Sequence, residues 1–240
     1  MSTKKWADGP YKLLSTPRAA LKGKPESGAS KNASEMALIH NIILRGLNCI
    51  TVQAPNVKNP EDIPDFMAFC DAWTCVLKSH HNTEETGGVM AKNHAEHETF
   101  LPGLLALDEY IGKVKADVKS YDGSELAKIV QSFGLALETH LQNEIVLLES
   151  LAEDEKIDWD LLGKTMAAHS KKVADRVREV PLLITNSDVT YESGIHGERF
   201  PPFPWFVHQI FRWVYIPQLK GAWRFASCDD YGMPRELPFA

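Results

Sequence analysis

Two pairs of histidine and glutamate with a spacing of four residues, His80 with Glu84 and His140 with Glu144, continue apolar helical stripes in the 240-residue sequence. Side chains four apart on an α-helix lie one turn from each other on the same face, so both members of a pair can reach one ion. Imidazole together with carboxylate, without a thiolate, suits iron, manganese or zinc. The two pairs therefore predict a metal site.

Two further histidines continue apolar helical stripes. His40 lies between Met36 and Ile43 on one stripe, and His97 lies four residues before Leu101 on another. A single buried histidine is more often a hydrogen-bonded core residue than a ligand. Several buried imidazoles and carboxylates at the same height along the helices would each cost free energy if they had no partner. A bound metal ion removes that cost. The candidate ligands are His40, His80, Glu84, His97, His140 and Glu144.

Four long amphipathic segments are predicted to be the helices that carry these ligands. They span about residues 33–53, 62–86, 89–117 and 124–151, and prolines, the Gly87-Gly88 pair and a turn before Ser124, the predicted N-cap, separate them. At roughly 1.5 Å rise per residue, His80 and His97 lie within about 3–5 Å of one level across the Gly87-Gly88 turn. The short connections predict an all-α fold, an antiparallel up-down-up-down four-helix bundle.

The rest of the chain is predicted to surround this bundle. Residues 1–32 indicate an extended N-terminal arm, residues 33–152 the bundle, and residues 153–240 a C-terminal helix followed by an aromatic and proline-rich extension. Ten of the chain's 22 aromatic residues fall between Phe200 and Tyr231, which favours packing on the bundle over a solvated tail. Contact of the stretch Phe203–Lys220 with a membrane surface is the less favoured alternative.

Composition excludes several classes of protein. A net charge of −6 and the lack of a basic stripe argue against nucleic acid as a partner. The sequence has no apolar run long enough for an integral membrane segment and no signal-peptide pattern. Four cysteines without a CxxC pair predict reduced thiols and a cytoplasmic location.

Four motifs in order resemble the hemerythrin-like, or HHE cation-binding, domain family over residues 33–152. They are MALIHNIILRGLN (36–48), HHNTEE (80–85), AEHETFLPGL (95–104) and HLQNEIVLL (140–148). The arm KKWADGPYKLL and the tail GAWRFASCD are similar to a fungal-type branch of that family.

The resemblance implies that the six candidate residues ligate a non-haem centre of two iron ions bridged by an oxo or hydroxo group, with manganese or zinc as alternative metals. Additional candidate ligands are His81, Glu85 and His94. Whether His80 with Glu84 or His81 with Glu85 ligates stays open. Where the blood-pigment type has a second histidine on the third helix, this chain has Leu101, which implies a missing ligand and more open coordination.

The implied function is binding of O2 or NO, or the handling or sensing of iron. The sequence offers no general base or nucleophile beyond the candidate ligands. Two alternatives are an oxidase-like or peroxidase-like di-iron enzyme, and a bundle with a structural metal that acts through protein partners.

Overall fold

The structure is a computed structural model that describes residues 5–87, 94–197 and 200–240, apart from the side chains of residues 85–87, 94 and 95. The described residues form eight α-helices and no β-strand, which confirms the predicted all-α class. In chain order the helices are α1 (Pro17–Leu21), α2 (Gly28–Gln53), α3 (Ile63–Gly87), α4 (His94–Ala116), α5 (Gly123–Ser150), α6 (Trp159–Val173), α7 (Glu179–Asn186) and α8 (Trp205–Ile210).

Helices α2, α3, α4 and α5 enclose the main hydrophobic core. Helix α2 contacts α3 and α5, and α4 contacts the same two helices from the other side. Helix α2 begins at Gly28, before its predicted start, because the side chain of Ser27 caps its first turn. The predicted cap of α5 at Ser124 is wrong, since the Asp122 carboxylate accepts hydrogen bonds from two backbone N–H groups there.

The contact between α2 and α3 depends on the absence of a side chain at Gly46. A Cβ there would lie 2.4 Å from Cδ1 of Trp73. The indole of Trp73 is fully buried and donates its Nε1–H to the carbonyl of Ile43 over 2.8 Å. The large aromatic ring therefore fills the core while its polar atom stays hydrogen-bonded.

The N-terminal arm is fixed to α2 by two buried asparagines. Asn41 accepts from the backbone N–H of Leu14 and donates to its carbonyl, at 2.7 and 2.8 Å. Asn48 accepts from the N–H of Tyr11 and donates to the carbonyls of Ala7 and Tyr11. At the start of the arm, the carbonyl of Lys5 accepts a hydrogen bond from the N–H of Leu237. The arm is thus part of the core packing.

The C-terminal region adds α6 and α7, both of which contact α2 and α3. The aromatic extension is divided between core and surface. Trp223 and Phe225 are buried, and the Phe225 ring lies 4.8 Å from that of Phe66. By contrast, Trp205 and Trp213 are 77% and 74% exposed. The prediction that this segment packs on the bundle therefore describes Trp223 and Phe225, which are buried in the core, but not Trp205 and Trp213.

Within the described part of the chain, no helix combines the length and apolarity that a membrane crossing requires. All four cysteines are free thiols, and Cys49, Cys70 and Cys228 are buried. Burial raises the pKa of these thiols, so they are protonated at neutral pH and poor nucleophiles.

Candidate metal centre

Helices α2, α3 and α5 bring one group of four ligand-type side chains together. Its members are His40, His80, Glu84 and Glu144, all buried, with one potential ligand atom from each within 4.8 Å of the others. The Nε2 atoms of His40 and His80 are 3.0 Å apart, and Oε1 of Glu84 lies 2.7 Å from Nε2 of His80. One ring nitrogen can donate to the other, depending on the tautomer, and all of these atoms are of types that ligate cations.

A second group adjoins the first and consists of His81, Glu84, His97 and His140, again with ligand atoms within 4.8 Å of one another. The ring centroids of His81 and His97 are 4.5 Å apart, and those of His97 and His140 are 4.7 Å apart. Helix α4 therefore contributes through His97, so each of the four long helices supplies at least one ligand-type side chain.

Two carboxylates link the groups. Glu84 belongs to both. Glu144 lies between them, because one oxygen is 3.3 Å from Nε2 of His40 and the other is 3.5 Å from Nε2 of His140. Carboxylates in such positions can bridge two metal ions in a helical protein.

Several buried ligand atoms make no hydrogen bond to any described residue. They include Oε2 of Glu84, Nε2 of His81 and Nε2 of His140. Buried polar atoms in proteins are almost always paired, and an unpaired one costs free energy. Buried atoms without hydrogen-bond partners, gathered at one place, fit a cation-binding site.

The charges of the centre favour the same conclusion. Burial by itself lowers the pKa of His40, but the carboxylates of Glu144 and Glu84 outweigh it and raise that pKa to about 9. Burial by itself raises the pKa of Glu84, but the imidazoles of His80 and His40 hold it well below its usual range. Burial and the neighbouring His80 lower the pKa of His81 to about 2. The two carboxylates thus attract positive charge, while His81 stays neutral with a lone pair to offer.

An outer hydrogen bond orients His140. Its Nδ1 lies 3.1 Å from Oε2 of Glu96, and Oε1 of Glu96 accepts from Nδ2 of Asn143 over 2.9 Å. A carboxylate on one imidazole nitrogen fixes the tautomer and directs the other nitrogen to a metal. The ring of Phe100 packs on His81, His97 and His140 at centroid distances of 5.2–5.6 Å, which walls the second group with a nonpolar surface.

All six candidate ligands lie in this cluster, together with the additional candidate His81. His80 and His81 belong to different groups, so the structure places both neighbours in the cluster. The predictions for Glu85 and His94 concern side chains outside the described residues. Glu96, directly before His97, was not predicted, because it lies on α4 and no helical spacing relates it to His140 on α5.

The chain is similar to the dimeric xanthone biosynthesis cluster protein R11 of Cryptosporiopsis sp. (strain 8999), at 28% identity over 249 aligned residues that cover 98% of this chain and 94% of the relative. No protein-family model matches the sequence, and no solved structure matches it.

Proposed function

We propose that this chain is a hemerythrin-like protein that holds two iron ions in a non-haem centre inside an antiparallel up-down-up-down four-helix bundle. One observation carries the proposal: Glu84 belongs to two adjacent groups of buried ligand-type side chains. A single tetrahedral zinc ion requires four ligands, fewer than the cluster offers. Seven imidazoles and carboxylates, two of which can bridge, suit a pair of ions with mixed nitrogen and oxygen ligands.

Each proposed ion has its own set of nitrogen ligands. His40 and His80 serve one ion, and His81, His97 and His140 serve the other. Manganese and zinc have the same ligand preferences, so they are the alternative occupants. The family resemblance implies a histidine ligand at the position of Leu101, whose side chain has no ligand atom. We propose that His81 is the ligand of the second ion in its place.

The proposed activity is reversible binding of O2 or NO. Two ferrous ions held by these residues would supply the affinity for such a ligand. The chain's own contribution is to position the ligands and exclude water: Phe100 covers the imidazoles of one group, and His40, Glu84 and Glu144 are almost completely buried. A dry surrounding limits loss of the bound gas by side reactions with solvent.

Metal content and spectra test this proposal. Protein expressed with added iron should contain two iron ions per chain, and Glu84→Gln should lose iron from both positions because it weakens a shared ligand. Glu149→Gln, an exposed position on the same helix as Glu144, is the control and should keep its iron. A wild-type protein that retains no iron, manganese or zinc would refute the metal centre.

A second candidate is a di-iron oxidase-like enzyme of a biosynthetic pathway. The observation in its favour is the relative named for a xanthone biosynthesis cluster. Rapid mixing of the ferrous protein with O2 separates the two candidates. A long-lived spectrum that reverses when O2 is removed supports gas binding, whereas rapid decay accompanied by turnover of a reductant supports the enzyme.

A further inference from the structure

A cavity of about 260 Å³ lies between α2, α3, α6 and α7, and His80 of the candidate metal centre forms part of its wall. Most of the wall is apolar. It includes Met36 and Ile39 of α2, Met166 of α6, Leu183 of α7, and Phe200 and Phe203 from the segment before α8. We call this space the α6 cavity.

The polar residues of the α6 cavity come from all four helices: Asn32 and Glu35 of α2, Ser79, His80 and Thr83 of α3, Ser170 and Lys171 of α6, and Glu179 of α7. Ser79, Thr83 and Glu179 line it beside His80. The hydroxyl of Thr83 donates to the carbonyl of Ser79, and Glu179 accepts from the thiol of Cys75. The side-chain oxygens of Thr83 and Glu179 therefore keep lone pairs that can accept a hydrogen bond from a ligand in the mostly apolar cavity. Pockets of this type bind apolar molecules and use their few polar groups to fix the orientation of the ligand.

The charges on the wall disfavour an anionic ligand. Exposed Glu35 and exposed Lys171 have opposite signs, and the buried carboxyl Glu179 adds a second acidic group. Burial raises the pKa of Glu179, which eases the approach of a neutral hydroxyl to it. Lys171, the one lysine of the wall, is exposed to solvent, so no buried lysine or arginine faces a carboxylate or phosphate there.

The size and the wall chemistry favour fused aromatic rings. An apolar cavity of roughly 150 Å³ accommodates one benzene ring, so about 260 Å³ accommodates two or three fused rings. Phenylalanine rings stack on aromatic faces, and methionine sulfur makes favourable contacts with them. Both side-chain types occur on the wall, as Phe200, Phe203, Met36 and Met166.

We propose that the α6 cavity binds a neutral, flat aromatic molecule of two or three fused rings whose hydroxyl group contacts Ser79 or Glu179. Binding itself depends only on the cavity. That the molecule lies next to the metal, separated from it by His80, rests on the proposed function. A hydroxylated aromatic ligand held there is within one side chain of the proposed iron pair.

Fluorescence titration of the full chain with 2-naphthol tests the binding, first with metal-free and then with iron-loaded protein. Decanoic acid, which has as many carbon atoms but is flexible and anionic, is the comparison ligand. Ala167→Trp places a large side chain at an exposed position of α6 that lines the cavity, whereas Ala168→Trp makes the same change at its exposed neighbour outside the lining. Ser170→Trp is a second blocking variant on the same wall.

We expect 2-naphthol to bind metal-free and iron-loaded wild type, and to bind more tightly than decanoic acid. Blocking the cavity removes the apolar area that the ligand buries, so Ala167→Trp and Ser170→Trp should weaken binding at least about tenfold. Ala168→Trp should bind as wild type does. Preference for decanoic acid, or equal binding by the blocked variants with unchanged circular dichroism, would overturn the proposal.

Proton relaxation of bound 2-naphthol tests the location beside the metal. Manganese(II)-loaded protein should enhance the relaxation of the ligand's protons relative to zinc-loaded protein. Binding without any enhancement would retain the aromatic site and refute its position next to a metal. Failure of the protein to load iron, manganese or zinc would refute the proposed function and leave the binding result intact.

Discussion

Replacement of Glu96 by alanine provides a sharp test of the candidate metal centre, because this residue contacts a predicted ligand without being one. Oε2 of Glu96 lies 3.1 Å from Nδ1 of His140, and Asn143 holds the same carboxylate in place. Loss of the carboxylate frees the His140 ring to rotate and reduces the basicity of its Nε2. We therefore expect weaker binding of the ion that His140 contacts, with little change at the ion beside His40.

The magnitude follows from the type of contact and its exposure. Removal of a carboxylate that orients a ligating histidine typically lowers metal affinity by about 10–100-fold, or about 1.4–2.8 kcal/mol. The side chain of Glu96 is 36% exposed whereas that of His140 is 1% exposed, so solvent screens part of the interaction. We expect a loss toward the lower end of that range, and a smaller loss for Glu96→Gln, which keeps an acceptor oxygen.

The assay is competition of the protein with a chromophoric chelator for added metal, analysed for two binding steps. Glu98→Gln, at an exposed position on the same helix, is the control and should leave both steps unchanged. Two outcomes contradict the reasoning: unaltered metal affinity in Glu96→Ala, or an equal loss in both steps. Circular dichroism of each variant separates a change in ligation from loss of the fold.

The other predictions concern stability. His40 has a pKa of about 9 when folded against 6.5 unfolded, so its stabilising protonation is present below pH 6.5 and lost as the pH rises through 9. The thermal unfolding temperature of chelator-treated protein should therefore fall over that range, and a flat profile would disprove it. Gly46→Ala should destabilise by about 1–3 kcal/mol because its Cβ overlaps Trp73. Gly112→Ala, at an exposed helical site with no atom within 4 Å, should instead stabilise by about 0.5–1 kcal/mol; urea unfolding distinguishes the signs. Asn48→Ala leaves buried backbone groups of the arm unpaired and should cost at least about 2 kcal/mol in the same assay, and no loss would show that water replaces the amide.

Helical periodicity predicted much of the candidate metal centre because the spacing of residues along one helix fixes which side chains share a face. A spacing of four residues places His80 and Glu84 on one face whatever the tertiary fold. The same rule left His80 and His81 as alternatives. They are about 100° apart on one helix, so each could face a different neighbouring helix. In the structure the two rings face different groups of the cluster, a consequence of where the neighbouring helices lie.

Features that depend on distant parts of the chain were not predictable. Glu96 and His140 are on different helices, and no pattern in either segment specifies their contact. Asn41 and Asn48 are seven residues apart on α2 and look like ordinary polar interruptions of an apolar stripe, yet both bind the arm. The α6 cavity arises only when α6 and α7 pack against α2 and α3.

The hydrogen bond between Lys5 and Leu237 has a consequence for biosynthesis. The ribosome makes the arm first, but the residues that hold it come later: Asn48 on α2, then the carbonyl of Val130 near the hydroxyl of Tyr11, and finally Leu237. The part of the arm that Asn48 holds can dock once α2 has formed, but the segment around Lys5 gains its hydrogen bond only after Leu237 has been made. Chaperones and proteases have their best access to this segment before then.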